Sequence, residues 1–449
     1  QASPISNCGH MQRQPAGLRI DVSVPPMSAV IGRCIPNIAT EDVLRSLVDP
    51  SGSTLAPTCL HQLQVWEDSL LKELRSNTEH ANADQSVYTG GPGVAFAFVK
   101  AAVLRGEPDL LQHAAEFLLP WEAKHTKLAN KHPDIACSLL CGRAGWLCVD
   151  ALRRAAGGDA AGAAAAVEEY VEIAGIVLAD AVLHADEWLY GRAGYLHGLL
   201  LLQSVFGAAA VPQALLDNIA SFILEGGRQC SKRLQSDWPL MWTWHGKAYL
   251  GAAHGVAGIL YMLLHVPSVT QDAHWQPLIT ATIDRLSGLK SEEGNFPGKC
   301  GESSAHLIHF CHGAPGFVWL FCKAYAVLGE ARFLKEARAA GELVWRCGLL
   351  KKGPGLCHGI SGNGYALVTL FKATGDATWL ARAMHFASSM LAEEMLALQS
   401  IPDNPFSLFE GKAGALCLLL DLRSNPGTAA LPLFELGGLG GLTAGGSGG

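Results

Sequence analysis

The stretch Cys311-His312-Gly313-Ala314-Pro315-Gly316, followed by the apolar run Phe317-Val318-Trp319-Leu320-Phe321, decides the fold because its pattern recurs. Gly-x-x-Gly leading into an apolar run appears at Gly90–Gly93, Gly142–Gly145, Gly191–Gly194, Gly255–Gly258, Gly313–Gly316, Gly359–Gly362 and Gly411–Gly414. First glycines of successive copies lie 52, 49, 64, 58, 46 and 52 residues apart. Such even spacing, with a period of about 50 residues, marks a repeat architecture. Each Gly pair opens roughly three turns of apolar sequence. Between copies lie amphipathic segments such as 332–345, whose Phe333, Ala337, Ala340 and Val344 recur at helical spacing. A helix apolar all round belongs in a core, and a one-faced helix covers it. The unit is therefore a helix pair, and seven pairs close into an all-α double ring, an α/α toroid with seven inner and seven outer helices. Gly is a poor interior helix residue, so its return at helix starts is informative.

Composition agrees with a large core. Hydrophobic residues make up 49% of the 449-residue chain and charged residues only 16%, against ~25% in an ordinary soluble domain. A membrane protein would share that balance, but a spanning helix needs ~20 mostly apolar residues. The best runs, 195–211 and 251–266, are interrupted by His197 and Gln203 and by His254 and His265. No transmembrane segment is expected. The net charge of 33 − 40 = −7 excludes a nucleic-acid binder, which needs a basic footprint. Thirteen Cys, an odd number, and the lack of a secretory pattern over residues 1–40 point to reduced thiols in the cytoplasm rather than a disulfide framework; peripheral attachment to a membrane stays open. The expected organisation is an irregular N-terminal arm over 1–39, the toroid over 40–424 and a flexible Gly-rich tail over 425–449. The Ala-rich segment 155–167 reads as a flexible lead into a helix, and 291–301 reads as a loop.

Two copies carry Cys-His immediately before the Gly pair: Cys311-His312 and Cys357-His358. Inner-helix starts of a toroid converge at one mouth, so two Cys and one or two His can meet there. Thiolate and imidazole are the ligands Zn²⁺ prefers, and helix N-termini favour thiolate over thiol. The ordinary alternative is two core cysteines beside hydrogen-bonded histidines. A third copy has His254 at the same place, a candidate proton shuttle at the mouth. His197 and His265 read as core residues, His306 and His309 stay ambiguous, and Cys137, Cys141 and Cys148 read as packing. Lys351-Lys352-Gly353 and Trp244-His245-Gly246-Lys247 are loops able to face an anion, although a solvated basic loop is the default reading.

The string Trp244–Ile259 (WHGKAYLGAAHGVAGI) resembles the eukaryotic LanC-like proteins, as do HFCHGAPG (309–316), GLLKKGPGLCHGISGN (348–363), PFSLFEGKAG (405–414) and PLFEL (432–436). The resemblance covers about 33–436. It implies the double ring of seven inner and seven outer helices, relationship to the zinc-dependent lanthipeptide cyclases, and zinc ligands at Cys311, Cys357 and His358. It further implies His254 as the proton-shuttling histidine and, near the third Gly pair, Glu187 as the acid, with Asp186 adjacent. Basic contacts to glutathione fall on Lys352 and, through the RCIPN motif, on Arg33. The implied activity is addition of glutathione to dehydroalanine or dehydrobutyrine in damaged proteins. The alternative is a non-catalytic zinc adaptor that binds glutathione or signalling proteins, for which closed four-ligand coordination including His312 would speak. One departure from close relatives is ESSAHLIHFCHG before the first Cys-His pair, with Phe310, which touches substrate contacts rather than metal binding.

Overall fold

The computed structural model describes residues 32–179, 185–302 and 305–442. Fourteen principal helices can be numbered in chain order among these residues. The outer ring is α1 (Pro57–Ser76), α3 (Leu110–Leu118), α5 (Ala160–Glu172), α7 (Gln213–Arg233), α9 (Trp275–Ser287), α11 (Ala331–Cys347) and α13 (Ala377–Leu391). The inner ring is α2 (Gly91–Arg105), α4 (Arg143–Ala156), α6 (Arg192–Phe206), α8 (Val256–Leu263), α10 (Ala314–Leu328), α12 (Ile360–Thr374) and α14 (Lys412–Ser424). Each inner helix packs on the next, and α14 packs back on α2, so the ring closes. The outer partner of α14 is α1, which comes from the other end of the repeat array. Strand pairing among the described residues is confined to isolated bridges. No described helix is long and apolar enough to cross a membrane.

The Gly pairs have a physical cause. A Cβ on the second glycine of every copy would collide with the main-chain carbonyl six residues earlier: Val87, Leu139, Trp188, Ala252, Phe310, Leu356 and Leu408 in turn. The loop thus folds flat against its own helix start. In five copies the residue after the first glycine donates its N–H to the carbonyl seven back, as Ile360 does to Gly353 at 2.9 Å. Loop carbonyls therefore satisfy donors that side-chain caps usually serve. The fifth copy differs. Gly313 sits at φ +110°, which only glycine adopts readily, and Ala314 N–H donates to Asn295 Oδ1 at 2.7 Å. The 291–301 segment is a loop, as expected, and supplies that cap.

Residues two before each first glycine form a hydrogen-bonded ring. Tyr88 N–H donates to Leu140 O, Phe409 to Tyr88, Cys357 to Phe409, Cys311 to Cys357, Ala253 to Cys311 and Leu189 to Ala253, over 2.8–3.4 Å. The remaining link is made by Ser138 Oγ, which donates to Leu189 O at 2.8 Å. This ring fixes the seven loops in one register at one end of the toroid.

Two expectations need correction. Residues 155–167 are not a flexible lead. Helix α4 runs to Ala156, and α5 begins at Ala160, capped by Asp159, whose carboxylate accepts from Gly162 N–H at 2.9 Å. Nor is 425–442 a flexible tail. Phe434 sits inside the ring among Trp188, Tyr261, Phe310 and Trp319, with ring centroids 4.7–5.9 Å apart. Trp188 Nε1 donates to Leu433 O at 3.1 Å, and Glu435 pairs with Lys372 at 2.7 Å. Phe434 thereby completes an aromatic cluster in which Trp188 already meets Phe310 and Phe409, and Phe310 meets Trp319. Residues 443–449 and 1–31 lie outside the described residues. The remainder of the expected arm is without regular structure but tied down: Ile35 N–H donates to Leu349 O at 2.6 Å.

Candidate functional site

The ring positions the chemistry. Cys311 and Cys357 occupy two of its seven positions, joined directly by the Cys311 N–H to Cys357 O bond at 3.2 Å. The residues that follow around the mouth, one before each first glycine, are Thr89, Cys141, Tyr190, His254, His312, His358 and Glu410. Neighbouring loops therefore bring Cys311, Cys357 and His358 together, with one ligand atom from each lying within 4.8 Å of the other two. Both Cys are buried and His358 is half-buried.

This close packing makes Cys357 and His358 hold their protons more tightly. The Cys311 thiol and burial push the Cys357 pKa well up. Burial works against charge on His358, but Cys357 and Glu410 outweigh it and its pKa is raised. A divalent cation reverses that balance, because its ligands bind deprotonated. The donor set, two thiols and one imidazole at successive helix N-termini, is the set Zn²⁺ takes when one position is left open. The residues present fit the ion.

The site borders a cavity of about 400 Å³ whose wall includes Arg33, His309, Lys351, Lys352, His358 and Glu410. Arg33 reaches it because its segment pairs with 349–351: Lys351 N–H donates to Arg33 O at 3.1 Å. Both sequence-expected cations, Arg33 and Lys352, thus face one space with His358. His309 is buried, its ring 5.8 Å from that of His358, and burial holds its pKa well below the usual imidazole range.

His254 and Glu187 form a pair. Glu187 is buried and accepts from Leu189 N–H at 2.8 Å, Tyr190 N–H at 2.6 Å and His254 Nδ1 at 2.8 Å. A carboxylate only accepts, so Nδ1 carries the hydrogen and Nε2 is left for the mouth. Asp186, the adjacent acid, turns away and pairs with Arg192 at 2.9 Å. Trp244 stacks flat on the His254 ring, 4.2 Å between centroids and 1° between planes. It is held there by a two-residue turn in which His245 and Gly246 have φ of +48° and +70°. The His254 and His312 rings are 6.2 Å apart, which sets this pair beside the loop that carries Cys311.

His197 is fully buried in the core and His265 is half-buried, its Nδ1 2.8 Å from Tyr261 O, and burial drops both pKa values to about 3. Cys137 and Cys148 are fully buried, and burial pushes each to about 12. Sequence reasoning passed over Trp244 as a support of His254 and Glu410 as a cavity residue. The register of the repeats held the signal for Glu410, since it occupies the same place as His254 and His358.

A closed ring of seven helix pairs with a Cys-Cys-His group at its mouth defines the toroid class shared with lanthipeptide cyclases. Residues 81–436 match the lanthionine synthetase C-like protein family, and the chain belongs to it. The relative named Glutathione S-transferase LANCL1, from Danio rerio, is 33% identical over 375 residues, spanning 82% of this chain and 89% of that protein. Among solved structures, nisin cyclase matches with a TM-score of 0.55 at 16% identity, over 80% of this chain and 94% of its own.

Proposed function

We propose that this protein adds the thiol of glutathione to dehydroalanine or dehydrobutyrine residues in peptides or proteins, with Zn²⁺ held by Cys311, Cys357 and His358. The observation that carries the reading is the shared mouth: the Cys-Cys-His group, a cavity walled by Arg33 and Lys352, and the His254–Glu187 pair sit on adjoining loops. The name of the Danio rerio relative supports glutathione as the thiol. Zinc at the site supplies a lowered pKa for an incoming thiol. Arg33 and Lys352 pair with glutathione's two carboxylates. The thiolate sulfur adds to the β-carbon of the dehydroamino acid, and the double-bond electron pair moves to the α-carbon side as an enolate. His254 gives the α-carbon its proton from Nε2 while Glu187 holds Nδ1–H. The proton lost by the thiol restores the imidazolium, so the sum is thiol plus alkene to thioether. The expected setting is the cytoplasm, where glutathione is reduced and abundant.

A non-catalytic adaptor with a closed metal site requires a fourth protein ligand. His312, the candidate for that place, lies outside the Cys-Cys-His group, and its ring faces Tyr249 and His254. That supports an open position. The test is glutathione addition to a dehydroalanine peptide by zinc-loaded protein, corrected for the uncatalysed reaction at the same pH. Addition above background that chelation removes is expected. Background rates with full zinc occupancy would overturn the reading.

A further inference from the structure

Outside the mouth, the chain carries a second pair of cysteines in contact. Residues 33–37 run antiparallel to 345–351 in a zipper: Lys351 N–H to Arg33 O at 3.1 Å, the Cys34–Leu350 bridge, Ile35 N–H to Leu349 O at 2.6 Å, and Asn37 Nδ2 to Trp345 O at 2.8 Å. This register lays Cys34 over the end of α11, where the last helical residue is Cys347. The two thiols are hydrogen-bonded to each other and stand as free cysteines, 6% and 4% exposed. Nothing in the proposed chemistry at the mouth uses either.

We propose that Cys34 and Cys347 are a dithiol modification site that takes a small-molecule disulfide such as glutathione disulfide, and that the resulting Cys34–Cys347 bond staples the Arg33 segment to the toroid. The Cys34 thiolate attacks one sulfur of glutathione disulfide, forming a mixed disulfide and releasing one glutathione thiolate. Cys347 then attacks the Cys34 sulfur and releases the second glutathione. Two protein thiols are oxidised and one disulfide is reduced; their two protons leave on the two glutathiones. The electrostatics favour this order. The Cys347 thiol hydrogen bond, offset by burial and helped by the backbone and Lys351, brings Cys34 down to about 7, so a large fraction is thiolate at neutral pH. Cys347 is held protonated by its hydrogen bond to Cys34, then by burial and by the charge on Cys34; the hydrogen bond and the charge disappear once Cys34 is in the mixed disulfide. Cys34 and Ile35 are buried against Leu349 and Leu350, so access requires the 33–37 segment to part locally from 345–351.

The consequence is local. Arg33 lines the cavity beside Lys351 and Lys352, so the bond would fix one of its cationic walls. The inference is independent of the zinc reading, and its test distinguishes the two. Zinc-loaded protein is equilibrated across a series of glutathione to glutathione disulfide ratios, trapped by alkylation and mapped by peptide mass spectrometry. The expected result is loss of alkylation at Cys34 and Cys347 together, with a linked peptide pair containing both. Cys34→Ser leaves Cys347 alkylatable at every ratio, and Cys347→Ser stops the reaction at a glutathione adduct on Cys34. Alkylation of both residues at all ratios would overturn the proposal. So would a stable glutathione adduct on Cys34 in the unsubstituted protein, or pairing of either residue with a different cysteine.

Discussion

The role proposed for each side chain at the mouth can be isolated by substitution. Cys357→Ala should remove the metal, read by zinc content, while the helical circular dichroism stays near that of the parent, because the core far exceeds the site. His254→Ala should keep zinc and glutathione binding and lose turnover by about 10²–10⁴-fold, the usual worth of a general acid. The loss should fall on kcat, since His254 is not proposed to hold either substrate in the ground state. Glu187→Gln should also lower turnover, by up to about 10⁴-fold, because a carboxamide no longer fixes the His254 tautomer, and glutathione addition kinetics measure both. Much of this was legible in the sequence. Cys311, Cys357, His254 and His358 stand at fixed offsets from a repeated Gly pair, and helix-start register converts offset into position. Trp244 was not legible as a support of His254, because its stacking depends on a turn that folds back ten residues before the histidine it covers.

At the scale of the element, the Gly pairs fix the angle between loop and inner helix. Gly362→Ala places a Cβ against the Leu356 carbonyl and should destabilise by about 3 kcal/mol or more, in the range of severe backbone and packing defects. Gly175 is an exposed helical glycine with open space at its Cβ. Gly175→Ala should be neutral or stabilising by up to about 1 kcal/mol. Urea unfolding of the two variants separates a required glycine from a tolerated one. The misread elements follow from composition. The segment around α5 looked featureless because it is nearly all Ala, yet Ala is the best helix former, and Asp159 supplies the start. The 425–442 segment looked like a tail because of its Gly run. Its destination depends on Phe434 meeting Trp188, Phe310 and Trp319, residues more than a hundred positions away, and no local pattern records that.

The whole molecule is a ring closed late. Helix α1 covers α14, and Lys100 of α2 meets Asp421 of α14 at 2.7 Å in a fully buried pair. Asp421 also accepts from Tyr365 Oη at 2.7 Å and Ala430 N–H at 3.2 Å. Lys100→Ala leaves that carboxylate buried without its cation and should cost about 3–5 kcal/mol, read as a lowered urea midpoint. The core also sets an acid limit. His125, His197 and His265 titrate near 4, 3 and 3 in the folded chain because burial excludes the charged form. Below about pH 6.5 the unfolded chain takes up protons that the folded chain refuses, so stability falls as pH drops and levels off above that value. Each such histidine adds a slope of about 1.4 kcal/mol per pH unit between 6.5 and its folded value. Replacing His197 by Leu should flatten the stability–pH curve between pH 6 and 5 by that amount.

The central claim is that the mouth holds zinc with a place left for a thiol. X-ray absorption at the zinc edge, recorded on zinc-loaded protein with and without glutathione, tests it most directly. The account predicts two sulfur ligands and one imidazole from the protein alone, with an added sulfur ligand when glutathione is present. A spectrum of four protein ligands that glutathione leaves unchanged would contradict it.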